Sequence, residues 1–246
     1  MSDETNAFHL YNLLRRDRMD PRRTIRAFDH FTSMSIDDTT LDPTDWEIVQ
    51  DAGATAQIGP MAGKAGGWFQ VACDGDDNDE CYAASRAEAW IFNTTQPAMF
   101  ETRIEHTAGS TDGKSSFVLG LSDTVAANTI ADAGTLVASF DGALFFKGED
   151  DAGIQFVTSN AATPVTTASA IAWTDADVVR LGFVYDPGDG TTGKITPIVN
   201  GAAGDSHDIV ISGLAEMHVL FGTKTHEDAV EQVLEIDWYE VIQRVA

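Results

Sequence analysis

The sequence predicts an all-β protein, a β-sandwich of jelly-roll type behind a short helical and extended N-terminal arm. Three observations predict it. From Ala27 onward, short runs rich in Val, Ile, Phe, Thr and Trp alternate with Gly, Asp and Asn punctuation. About a dozen such runs fit in the chain, and its 246 residues suit one large sandwich. Helical spacing is confined to the first twenty residues.

The arm comes first. Residues 5–19 read as an amphipathic helix, capped by Thr5 or Asn6, with Ala7, Leu10, Tyr11 and Leu14 on one face. Arg15, Arg16 and Arg18 follow that face. Pro21 ends the helix, because the residue before a proline is biased away from helical dihedrals. Residues 21–26 are then an extended basic connector holding Arg22, Arg23 and Arg26. So short a helix is marginal in water, so it must pack on its own domain, a sister subunit or another protein. Residues 1–26 are read as the arm and residues 27–246 as the sandwich.

The strands are expected at Trp46–Gln50, Gly67–Ala72, Ala89–Asn93, Met99–His106, Ser116–Leu121, Thr135–Phe140, Ala143–Lys147, Ile154–Thr158, Val178–Tyr185, Lys194–Val199, Ala215–Thr223 and Glu231–Val245. Within Phe100–Glu105, Glu101, Arg103 and Glu105 alternate with Phe100, Thr102 and Ile104, the mark of a half-buried strand. Asp186-Pro187-Gly188-Asp189-Gly190 has the residue chemistry of a hairpin turn.

Charge narrows the function classes. The net charge is −24, which repels nucleic acid. Asp outnumbers Glu and Lys is scarce, a pattern shared by proteins of salty environments and by products of G+C-rich genomes. The charge is uneven: residues 1–30 hold six of the fifteen bases and net +1, whereas the rest nets −25. No apolar run is long enough to span a membrane, and the first thirty residues lack the apolar stretch of a signal peptide.

Several clusters could carry chemistry. Asp74, Asp76 and Asn78 share the 1-3-5 spacing of a calcium loop. Asp79 replaces the glycine such a loop needs, which excludes an EF-hand and leaves an irregular Ca2+ site open. Cys73 and Cys81 flank that acidic loop and could bond across it, although a reducing cytosol would keep them as thiols. His218 and His226 flank a turn and make a weak metal pattern. Trp46, Trp68, Trp90, Trp173 and Trp238 fit the core more simply than a sugar-stacking groove.

Four stretches resemble the concanavalin-like lectin and glucanase sandwiches. Phe28-Asp29-His30-Phe31 resembles their first strand, and Phe100-Glu101-Thr102-Arg103-Ile104 a characteristic inner strand. Residues 180–186 followed by Ile198-Val199-Asn200-Gly201 resemble their long hairpin, and residues 235–241 the last strand, which pairs near the first. Glu235, Asp237 and Glu240 also match the E-x-D-x-x-E pattern of laminarinase-type β-glucanases. Retaining hydrolysis would need two of these carboxyls about 5–5.5 Å apart, with a bulge to bring all three to one face. The motif sits six residues from the end of the sequence, whereas those enzymes carry it mid-chain, so the resemblance implies a closing strand and no catalysis.

Non-catalytic sandwiches of this kind occur in tailed-phage particles. The resemblance therefore implies a virion protein, made in a host cytoplasm, that decorates or stabilises the shell. It would meet the major capsid protein or another virion protein through its arm, using Phe8, Leu10, Tyr11, Leu14, Arg15, Arg16, Arg18, Arg22, Arg23 and Arg26. A homo-oligomer is expected, with a trimer to match three-fold shell positions. No cofactor, nucleic acid or membrane is expected. The alternatives are a carbohydrate-binding module for host attachment and a β-glucan hydrolase.

Overall fold

A computed structural model describes residues 3–17, 24–31, 46–51, 57–108 apart from 62, 65 and 74, 114–160 apart from 138, 164–167, 171–227 apart from 175, and 231–245. The chain opens with α1 (Asp3–Asp17), β1 (Thr24–Asp29), β2 (Trp46–Gln50), β3 (Gln57–Pro60), β4 (Phe69–Cys73), β5 (Glu80–Ser85), β6 (Ala98–Thr107) and β7 (Ser115–Ser122). It continues with β8 (Asp141–Lys147), β9 (Gly153–Asn160), β10 (Val165–Thr166), β11 (Ile171–Ala172) and β12 (Val179–Asp186). The last elements are β13 (Thr192–Val199), β14 (Ala202–Ala203), β15 (His207–Val210), β16 (His218–Thr225) and β17 (Gln232–Arg244).

These strands form two antiparallel sheets. The back sheet runs β14-β13-β12-β6-β17-β4-β3, with β15 beside β13 and β1 beside β17. The front sheet runs β10-β9-β8-β7-β16-β5-β2, with β11 beside β9. β17 is long enough to take two partners along one edge: residues 232–236 pair with β4 and residues 239–244 with β1. Its other edge pairs with β6. The expected pairing of last strand with first is thus present.

Alternation builds the core. On β6, Ala98, Phe100 and Ile104 enter the space between the sheets, as do Leu181, Phe183 and Tyr185 from β12 and Phe117, Leu119 and Leu121 from β7. Phe31, Trp46, Phe69 and Tyr239 form an aromatic group at one end, with Phe31 and Phe69 stacked at 4.8 Å. The Asn200-Gly201 turn joins β13 to β14 with positive φ at both residues, as a two-residue hairpin loop requires. The turn over residues 187–191 joins β12 to β13, and Asp189 accepts from the Thr191 and Thr192 amides at 2.9 and 3.2 Å.

The arm packs on its own sandwich. Tyr11 and Leu14 bury against Met99, Val184, Ile198 and Ile242 on the outer face of the back sheet, with Leu10 partly buried beside them. The helix begins at Asp3, ahead of the expected start at residue 5, and runs to Asp17; residues 18–19 of the expected span lie outside the described residues. β1 begins at Thr24, so one strand crosses the division expected after residue 26. Two expected strands are corrected. Ala89–Asn93 keeps only an isolated bridge at Trp90, and Thr135–Phe140 only one at Leu136. Conversely, β3, β5, β15 and the short β10, β11 and β14 lie outside the expected strands.

His106 sits in the core, fully buried beside Phe117 at 4.8 Å and Trp173 at 5.4 Å. Burial, with Lys147 nearby, holds its ring at about 3, far below the usual imidazole value. Above pH 6.5 both folded and unfolded chains carry it neutral. Below that, the unfolded chain takes the proton first, so stability is lost as pH falls from about 6.5 towards about 3. Urea unfolding across that range should show the loss, and His106→Phe should remove roughly 3–5 kcal/mol of it. An unchanged pH slope in the variant would contradict the assignment.

Candidate functional site

The outer face of the front sheet is apolar. Tyr82, Ala84, Val118, Leu144, Phe146, Val157 and Leu220 all point to it. The connection from β7 to β8, residues 123–140, folds across this face and seats Ile130 and Phe140 on it, with Val125 and Leu136 partly buried. Tyr82 lies over Gly222, where an added Cβ would run into its ring. A glycine is therefore what lets the tyrosine lie flat on the sheet.

A buried charge network pins the connection down. Glu80 and Lys224 face each other across β5 and β16, 0% and 1% exposed, with Nζ 3.4 Å from Oε2. The Tyr82 hydroxyl donates to the same carboxylate at 2.6 Å and accepts from the Ile130 amide at 2.9 Å. The Asn128 amide donates to Glu80. Lys224 also donates to the Ile130 carbonyl at 3.0 Å and to Asp132 at 2.7 Å. That hydrogen bond holds the Asp132 carboxyl below its usual range. Burial, with Glu80 beside it, pushes the Tyr82 hydroxyl well up, so it stays a donor.

At the margin of the covering segment a cleft of about 430 Å3 remains open. Phe146, Leu136, Val157 and Pro164 supply apolar walls, and Glu149, Asp151 and Gln155 supply polar groups. Asp151 is preset: it accepts from the Gly148 amide and from Gln155, each at 3.0 Å. Gly134 has positive φ and touches Glu149 so closely that a side chain there would collide with it. The turn before β9 and the covering segment are thereby held back to back. An apolar hollow with a few convergent polar groups is the usual form of a small-ligand site.

The carboxylates of β17 lie elsewhere, on the back sheet. A bulge between Ile236 and Trp238 breaks the ladder with β6, as the motif required. Each carboxylate of the motif has a cation. Lys64 bridges Glu235 and Glu105, Arg103 pairs with Asp237, and Arg26 binds Glu240 at 2.5 Å. None is left as a free acid or nucleophile.

The other expected site residues are dispersed. Tyr11 and Leu14 are used by the chain's own sheet, and so are not available to a partner in this arrangement. The Tyr11 hydroxyl donates to Glu101 at 2.5 Å, and Arg15 donates to that hydroxyl at 3.0 Å. Arg18, Arg22 and Arg23, and the side chains of Phe8 and Arg16, lie outside the described residues, as does Asp74. Asp76 is exposed and Asn78 half-buried; among the described residues no group of three or more His, Cys, Asp or Glu is placed to hold a metal ion. Cys73 and Cys81 are free thiols with Sγ atoms 3.3 Å apart. They come from different sheets, not from one hairpin. Trp46 and Trp90 are core residues, while Lys64 lies 4.3 Å from the Trp68 ring centroid.

Sequence reasoning missed the cleft. Its residues come from three strands, β8, β9 and β10, the turn before β9, Pro164 and the covering segment, and share no spacing. The nearest signal was Gly148-Glu149-Asp150-Asp151, an acidic turn between two strand runs. The pinning network generates a direct test. Lys224→Met strands the Glu80 carboxylate and should cost about 3–5 kcal/mol in urea unfolding. The double variant Glu80→Leu with Lys224→Met should recover most of it. Equal losses in both would show that the pair is not coupled.

No protein-family model matches the chain, and no curated protein does. Solved structures do. The protein of unknown function SO2946 from Shewanella oneidensis MR-1 aligns at TM-score 0.58 and 13% identity, over 91% of this chain and 87% of that one. Peanut lectin with a nine-residue peptide aligns at 0.59 and 11%, over 91% and 99%. The carbohydrate recognition domain of Emp46p, in its potassium-bound form, aligns at 0.58 and 11%, over 87% and 94%. At such identities the likeness speaks for the fold alone: this chain is a concanavalin-like jelly-roll sandwich.

Proposed function

We propose that this chain is a non-catalytic structural protein of a tailed-virus particle, a shell decoration or stabilising protein attached through its N-terminal arm. The observation that supports the reading is the way the arm and the faces are organised. Both broad faces of the sandwich carry cover from the chain itself, α1 on the back and residues 123–140 on the front. Between α1 and β1, both anchored on the sandwich, lie residues 18–23 with Arg18, Arg22 and Arg23. Guanidinium groups suit bidentate pairing with carboxylates of a shell protein. The partner would be the major capsid protein or another virion protein, and a homotrimer would match a three-fold position on the shell.

The test uses the parent virus's shells. Arg18→Ser, Arg22→Ser and Arg23→Ser together should lower shell occupancy at least roughly tenfold, the effect of losing about 1.4 kcal/mol. The variant should keep the circular dichroism of the parent chain. Point substitutions replace a deletion of the arm, because removing α1 would uncover Met99, Val184 and Ile242 on its own sheet. Undiminished occupancy would refute the reading.

A second reading, glycan recognition for host attachment, is favoured by the front cleft. Asp151 and Gln155 would bond sugar hydroxyls above the apolar wall that Phe146 and Leu136 give the cleft. The carbohydrate recognition domains among the structural neighbours support the same reading. It predicts glycan-array hits that Phe146→Ala and Asp151→Asn abolish. A blank array at high protein concentration would remove it.

A further inference from the structure

We infer that Cys73 and Cys81 are an oxidisable cross-link site that staples the back sheet to the front sheet. Cys73 ends β4 in the back sheet and Cys81 lies in β5 of the front sheet, so a bond between them would join the two layers. Both face the common core, 1% and 0% exposed, with Sγ atoms in contact at 3.3 Å. A disulfide needs about 2.0 Å between sulfurs. Rotation of the two side chains would close the remaining gap.

The surroundings hold the pair ready. The Cys73 thiol donates to the Thr223 carbonyl at 3.1 Å, and Thr223 is the ladder partner of Cys81. Cys73 is paired with Gln232 on β17, and Cys81 with Gln50 on β2. Each cysteine is thus held in a ladder, and both side chains point to one place between the sheets. Residues 74–80 connect them, giving a ring of nine residues on closure.

Hydrogen peroxide is the oxidant class small enough for such a site. One thiolate attacks peroxide, which leaves a sulfenic acid and releases one water after proton transfer. The second sulfur attacks the sulfenic sulfur, the S–S bond forms, and the displaced hydroxide takes the second proton as water. Two thiols lose two electrons and two protons, and one peroxide becomes two waters. Burial pushes the Cys73 thiol up, which keeps it protonated and slow to react in the closed protein. Reaction therefore runs through local opening of the β4–β5 end, or during folding. A reducing cytosol keeps the pair open and an oxidising medium closes it.

The full-length chain, purified under reductant and then exposed to hydrogen peroxide, tests this. Thiol titration in denaturant should fall from two to zero, and the intact chain should become two hydrogens lighter while remaining a single chain. Fragments cut between residues 74 and 80 should stay joined until reductant is added. The thermal midpoint should rise by roughly 5–10 °C on closure and fall back on reduction. Two surviving thiols, a sulfinic acid at either position or a bond between chains would each overturn the assignment. An unchanged or lower midpoint after full closure would overturn the stapling role. Cys81→Ala should show no midpoint gain with peroxide; if it fails to fold, the thiol count and midpoints of the parent chain decide alone.

Discussion

Two carboxylate pairs stand face to face across the centre of the back sheet, and α1, β1 and Lys64 each bring a cation to them. Glu101 on β6 is directly opposite Glu240 on β17, and Glu105 is opposite Glu235. Like charges opposite one another in a ladder repel. Each pair is therefore closed by cations from other parts of the chain. Lys64 bridges the outer pair. Arg180 at 3.0 Å, Arg15 at 3.9 Å and the Tyr11 hydroxyl meet Glu101, and Arg26 meets Glu240. Arg15 and Arg26 belong to the arm. The basic front end noted in the sequence is in part the counter-charge of this acidic ladder.

The front sheet solves the opposite problem. Its outer face is apolar and would be a large exposed patch if left open. Residues 123–140 cover it, and a buried acid–base pair with a tyrosine holds them there. A buried ion pair adds little stability over an apolar substitute, but it fixes geometry, because neither charge tolerates the loss of the other. Glu80 accepts from the Asn128 amide and from Tyr82, and Tyr82 accepts from the Ile130 amide, so two alternate positions of the covering segment, 128 and 130, are held in one register. The cleft beside it inherits that definition.

How much of this was legible differs by layer. Phe100–Glu105 was plain as a strand from its alternation, although α1 and Arg180 bury Glu101 on the face that alternation assigns to solvent. The closing strand was legible from its resemblance, and its bulge had been only a requirement of the acid motif. β5 was hidden because residues 80–85 are buried on both sides, by the core and by the covering segment, so they show no alternation and follow an acidic loop. Residues 135–140 erred the other way. Leu136 and Phe140 bury onto a sheet face, which gives a loop the hydrophobic signature of a strand. The β17 carboxylates looked catalytic because their spacing is real; their cations come from residues 26, 64 and 103, distances in sequence that no motif encodes.

The acidic ladder also limits how the arm can work. A helix of 15 residues is marginal alone, so α1 depends on the sheet it covers. The sheet depends on α1 in return. Removing it would expose Met99, Val184 and Ile242 and take from Glu101 both the Tyr11 hydroxyl and Arg15. Tyr11, pushed up to about 12 by burial and by Glu101, stays protonated across the physiological range, so ordinary pH changes do not release that contact. A partner that peeled α1 away would have to supply an apolar face, a hydroxyl and a cation in the same places. A partner that met residues 18–23 would have to supply only acceptors for arginine. The second demand is far smaller, and it leaves the neutralised ladder intact.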